Sequence, residues 1–122
     1  MAATGQVTIT GAISGLLTGS KTIGPIVISD SNASPMTFET VLSSGFNTIS
    51  VPTATSCSGA LIVFAAASTG TKTLKGVTGD TGIALNPNGV NFISFNPASP
   101  PASFGITTTA ADTSNVTEIL FL

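Results

Sequence analysis

The sequence predicts an all-β protein: an antiparallel β-sandwich, jelly-roll-like, with eight or nine strands. Three observations carry that prediction. Short apolar segments alternate with Ser and Thr at a period of two, the repeat of a half-buried strand. Almost no segment shows the 3.6-residue periodicity of a helix. Turn-forming Gly and Pro, 13 and 7 of 122 residues, break the chain at the spacing expected of sandwiches and barrels. Parallel strands need long crossovers that are usually helical, so the pairing should be antiparallel. The length fits one domain, 1–122, with 1–5 as a loose N-terminal arm.

The elements follow in order. Val7, Ile9, Gly11 and Ile13 mark a first strand from Gln6 onward. In "KTIGPIVIS", Pro25 lacks an N–H, so pairing is expected to start beyond it, at Ile26, Val27 and Ile28. "DSNASP" is a loop. "MTFETVL" and "FNTISVP" are strands on either side of a turn at Gly45. "ALIVFAAAS" is apolar on both faces, as in a central strand covered on both sides. "TKTLKGV" reads as a more exposed strand with two of the three lysines, Lys72 and Lys75. "GIALNP" and "VNFISFNP" read as a hairpin through "NPNG", with Pro87 opening the turn and Gly89 in the left-handed position. "NPASPPAS" is a Pro-rich loop. "SFGITTT" and the terminal "VTEILFL" close the set. The last has Thr117, Ile119 and Phe121 on one face and is expected to pair within a sheet.

Composition excludes several classes of function. Charged residues make up 7% of the chain, against about 25% in ordinary domains. Three lysines and a net charge of −2 cannot build a phosphate-neutralising footprint, so no nucleic acid is expected. Stacking platforms for single strands are thin without Trp, Tyr or Arg. The longest apolar run, "ALIVFAAA", falls far short of the roughly 20 residues of a membrane span, so no membrane association is expected. "MAATGQVTIT" has neither a basic nor an apolar leader region, so synthesis in a cytoplasm without export is expected. The sequons at Asn32 and Asn115 are then silent. So few charges leave sheet edges poorly guarded: either other subunits cover part of the surface, or Ser and Thr suffice for solubility.

The chemistry-bearing residues are few. "GVTGDTG" spaces Gly76, Gly79 and Gly82 by three. No Lys-Ser/Thr follows and a strand comes next, so this is not a phosphate-binding loop. Three triplets are too few for a collagen-like helix. The stretch is therefore a turn in which Gly76 and Gly79 allow positive φ and Asp80 supplies a capping carboxylate. The chain has no His, which removes Ser-His-Asp chemistry. Its five carboxylates, Asp30, Glu39, Asp80, Asp112 and Glu118, show no spacing that suggests a glycosidase pair. Asp30 with Asn32, or Asp80 alone, are the only oxygen-ligand candidates for calcium. Cys57 lacks a cationic neighbour and reads as a small residue at a strand entrance. Phe38, Phe64, Phe92, Phe95, Phe104 and Phe121 read as core. No enzyme, catalytic residue, cofactor or metal site is predicted.

The second half, "TKTLKGVTGDTGIALNPNGVNFISF" with "FGITTTA" and "VTEILFL", resembles the small β-rich virion accessory proteins of tailed bacteriophages. These are of the capsid decoration or cement type, or related head and neck proteins. The shared features are the "TLKGVTGDTG" turn, the strand after it and a closing strand with one acid among apolar residues. The similarity covers roughly residues 60–122, and its motifs are structural. It implies a structural protein on the capsid surface of a virion, made in the host cytoplasm. It also implies binding to the major capsid protein and self-association, most simply as a trimer. The alternative is a receptor- or carbohydrate-binding module of a phage fibre or tail, against which the lack of Trp and Tyr weighs.

Overall fold

The computed structural model describes residues 6–16, 19–29, 36–52, 57–112 and 114–122. Among these the protein is all-β, without helix, and forms ten strands. They are β1 (Gln6–Leu16), β2 (Gly19–Ser29), β3 (Met36–Thr40), β4 (Gly45–Ser50) and β5 (Gly59–Val63), then β6 (Lys72–Lys75), β7 (Ile83–Ala84), β8 (Val90–Ser94), β9 (Ser103–Thr108) and β10 (Thr117–Phe121). Every pairing is antiparallel. Eight strands make two four-stranded sheets, ordered β3-β10-β5-β8 and β4-β9-β6-β7. β1 and β2 form a two-stranded sheet of their own. The two larger sheets thus hold eight strands, within the eight or nine expected, and the β1–β2 pair brings the total among the described residues to ten. The proposed loose arm, 1–5, lies outside the described residues.

The pairings nest. β3 joins β10, β4 joins β9, β5 joins β8 and β6 joins β7. The chain is therefore an antiparallel ribbon folded at the β6–β7 turn and rolled so that successive pairs fall in alternate sheets. Strand alternation turns one face of each sheet inward. Ala60, Ile62, Ile119 and Phe121 from one sheet meet Ile49, Phe104 and Ile106 from the other in one cluster with Leu42, Val51, Cys57 and Phe64. Burying a side chain of this kind stabilises by roughly 1.5–3 kcal/mol, which makes the sandwich-like body the main source of stability. The closing strand is central, lying between β3 and β5. Its Thr117, Ile119 and Phe121 are buried while Glu118 is exposed, the alternation read from the sequence.

Four local expectations are corrected. Pro25 does not delay pairing: the β1–β2 ladder runs from Gly19 to Ser29, and Pro25 sits in the irregularity where Gly11 faces Ile23 and Ile9 faces Ile26. A bulge relieves the ladder of the missing N–H. The "NPNG" segment does not close a hairpin: β7 pairs with β6 and β8 with β5, in different sheets. Here the Asn91 side chain replaces a strand partner. Its Oδ1 accepts from Asn86 N at 2.8 Å and its Nδ2 donates to the Asn86 carbonyl at 3.0 Å. Gly89 is not left-handed, and neither are Gly76 and Gly79; positive φ falls on Gly45, Gly70 and Gly82. Finally, β5 is central in its sheet, but burial is confined to Gly59, Ala60 and Ile62, while Leu61 and Val63 on the outer face are half-buried.

Among the phenylalanines, Phe64, Phe104 and Phe121 are core. Phe92 and Phe95 are half-buried, and Phe95 lies 6.3 Å from Phe104 between ring centroids. Phe38, expected in the core, is 43% exposed because β3 is an edge strand.

Candidate functional site

The strongest polar constellation in the body is one the sequence reading missed. Lys72, expected on an exposed strand, is buried, and its Nζ lies 2.9 Å from Asp112 Oδ2. Both side chains are essentially sealed from water. Lys72 opens β6 and shares the inward face with Leu74; Asp112 lies in the segment that leads from β9 to β10. Lys72 Nζ also donates to the Thr69 carbonyl and to Thr108 Oγ1 at 3.2 Å. Thr108 Oγ1 in turn donates to the Ala110 carbonyl at 2.8 Å. Asp112 Oδ1 accepts from Thr69 N at 2.9 Å. The Phe64 ring sits 5.8 Å from the ammonium, a cation–π distance.

Burial pushes the Asp112 carboxyl up, but the Thr69 N–H and Lys72 outweigh it and hold the group at about 2, below its ordinary 3.8. Asp112 is therefore ionised at neutral pH and tied to a buried cation. A carboxylate held this way is a poor general base, and its partner is enclosed. The pair clamps the 64–72 segment to the 108–115 segment. The clamp is reinforced where Thr71 N donates to Thr109 Oγ1 at 2.9 Å and Asn115 Nδ2 donates to the Ala67 carbonyl at 3.2 Å. The one signal that could have found it is local: at period two, Lys72 falls on the same face as Leu74.

The remaining sequence candidates stay apart from this cluster. Asp80 Oδ2 accepts from Gly76 N and Val77 N, each at 2.9 Å. This caps the turn as expected and leaves that oxygen facing donors, not a cation. Asp30 and Asn32 lie outside the described residues. Among the described residues no three His, Cys, Asp or Glu side chains gather as metal ligands. Cys57 is buried, with Sγ 3.5 Å from the Gly59 carbonyl oxygen. Among the described residues no helix is long and apolar enough to cross a membrane.

Two surface hollows flank the body. One, of about 340 Å³, is lined by Val63, Phe64, Ala65, Ser114, Asn115, Val116 and Glu118 at one end of β5 and β10. The other, of about 330 Å³, is an apolar groove where β3 and β4 form the open side of the two sheets, lined by Phe38, Thr48, Ser50, Val51, Pro52 and Phe121. The first gathers the polar side chains of Ser114, Asn115 and Glu118 at its rim, and the second has no charged side chain in its lining.

No protein-family model matches the chain, and no curated protein or solved structure matches it.

Proposed function

We propose that this protein is a structural virion protein that decorates or cements an assembled phage head. In this reading it is not an enzyme; it binds the major capsid protein and acts as a homo-oligomer, most simply a trimer. The nested pairing of β3 with β10, β4 with β9, β5 with β8 and β6 with β7 carries the reading. We read this arrangement of eight strands in two sheets as jelly-roll-like, a plan common in viral capsid proteins and also used by lectins. Fold alone does not define function. The use of the polar groups adds to it: Lys72 and Asp112 satisfy each other, and Asp80 caps a turn. What is left outside is a charge-poor surface suited to packing against other protein.

The fibre or tail module is the second reading. Jelly rolls also bind sugars, and the hollow with Glu118, Asn115 and Ser114 beside Val63 offers polar groups next to an apolar wall.

The test is co-sedimentation of the purified protein with assembled shells of the capsid protein from the same genome. Pelleting with shells but not with free subunits, with a rise in the temperature at which shells fall apart, is the expected result. No pelleting, together with saturable binding on a glycan array, overturns the capsid reading in favour of the second.

A further inference from the structure

Lys72 and Asp112 meet where water does not reach. Their side chains are 0% and 1% exposed, and Lys72 Nζ lies 2.9 Å from Asp112 Oδ2. The two carboxylate oxygens are held differently. Oδ1 accepts from Thr69 N at 2.9 Å. Oδ2 has no hydrogen-bond partner among the described residues, so its approach to Nζ is a contact of opposite charges without the alignment of a hydrogen bond. Nζ itself donates to the Thr69 carbonyl and to Thr108 Oγ1.

These surroundings match the needs of an amide. An amide carbonyl oxygen wants a donor, and Thr69 N supplies one to Oδ1. An amide N–H wants an acceptor, and the Thr69 carbonyl and Thr108 Oγ1 both lie at Nζ. The oxygen that an amide does not keep is Oδ2, the one that no donor holds. The energetics point the same way. A buried ammonium and carboxylate stay costly even when paired, whereas an amide carries neither charge.

We propose that Lys72 and Asp112 condense after folding into an amide between Nζ and the Asp112 side-chain carboxyl carbon. The product is a covalent cross-link from the start of β6 to the segment that leads into β10. One proton passes from the ammonium to Oδ2, leaving a neutral amine and a neutral acid. Nζ then attacks the carboxyl carbon, and Thr69 N stabilises the negative charge that develops on Oδ1. A second proton passes from Nζ to Oδ2, the bond from carbon to Oδ2 breaks, and water leaves. The third proton stays on the amide nitrogen, so no co-reactant is needed. Holding both groups in one site replaces an encounter in solution with an intramolecular step. The pair rests ionised and only its neutral form reacts, so the bond forms slowly. The ion pair described above is that of the freshly folded chain. The cross-link does not depend on shell binding.

The test is intact-mass spectrometry of the chain refolded from urea and sampled over days at neutral pH, followed by trypsin digestion. Circular dichroism melts serve as folding controls. The folded wild type should become lighter by one water, and the chain kept in urea should not. Trypsin can cut this chain only after Lys21, Lys72 and Lys75. An acylated Lys72 resists cleavage, so fragment 22–75 should remain joined to fragment 76–122. Lys72→Arg and Asp112→Ala should each keep their full mass. Lys72→Arg retains the cation, so it remains decisive if Asp112→Ala impairs folding. A folded wild type that keeps its full mass overturns the proposal. So does loss of water with the two fragments separate, which marks a cyclised aspartyl backbone instead. The same loss in Lys72→Arg also overturns it.

Discussion

Replacing Lys72 by Met would leave the Asp112 carboxylate, 1% exposed, without its counter-charge. Methionine fills most of the lysine stem's volume, so the loss is electrostatic rather than a cavity. Removing one partner of a buried ion pair costs about 3–5 kcal/mol, because the surviving charge stays desolvated. Against a total stability of about 5–15 kcal/mol, that is roughly a fifth or more of the fold. With a urea slope of about 1–3 kcal/mol per molar, the unfolding midpoint should fall by roughly 1–5 M, read by far-ultraviolet circular dichroism. The acid limb gives an independent check. Asp112 binds its proton less readily in the folded chain, at about 2, than at its ordinary 3.8. Its contribution is therefore complete above 3.8 and disappears as pH falls through about 2. Wild type should lose stability across that window, and Asp112→Asn should show a flatter profile there. Lys72→Met combined with Asp112→Asn removes both charges and keeps an acceptor for Thr69 N, so it should recover part of the loss. A Lys72→Met unfolding free energy within about 0.5 kcal/mol of wild type, the range of a surface change, would refute the buried pair. So would an unchanged acid slope in Asp112→Asn.

Four further outcomes are expected from urea or thermal melts. Asp80→Ala should cost about 0.5–2 kcal/mol, by analogy with helix caps, through loss of the acceptor for Gly76 N and Val77 N; full stability would mean that water replaces it. Gly82→Ala should cost about 2 kcal/mol or more, because φ is +79° and a Cβ would meet the Leu74 carbonyl oxygen at 2.5 Å, whereas Gly79→Ala meets nothing within 4 Å and should be tolerated. Phe64→Ala should cost roughly 3–5 kcal/mol, since Phe64 is 5% exposed in the shared core; a normally stable variant would place that ring outside the core. Thr117→Val should stabilise by about 1 kcal/mol, because Thr117 Oγ1 is buried without a hydrogen-bond partner among the described residues; a destabilised variant would reveal a partner for the hydroxyl.

Local pattern alone determined the strand content and much of its orientation. Period-two alternation put Thr117, Ile119 and Phe121 on one face, and the structure turns that face inward. The Asp and Gly of "GVTGDTG" specified a capped turn, and the absence of His removed whole classes of chemistry. Each of these depends only on neighbours in the chain. The tertiary structure decided what depends on distant partners. Lys72 looked solvent-facing because most lysines are; it is buried because Asp112, 40 positions on, neutralises it at 2.9 Å. "NPNG" had the chemistry of a hairpin, yet the strands it joins pair elsewhere, since β8 gains more ladder beside β5 than beside the two-residue β7. Which glycine takes positive φ was set by the closeness of the Leu74 backbone to Gly82, not by the triplet spacing. The apolar character on both sides of "ALIVF" was legible. That its outer half joins Leu120 and Phe92 in one row was not, because a sheet face is made by register between strands far apart in sequence.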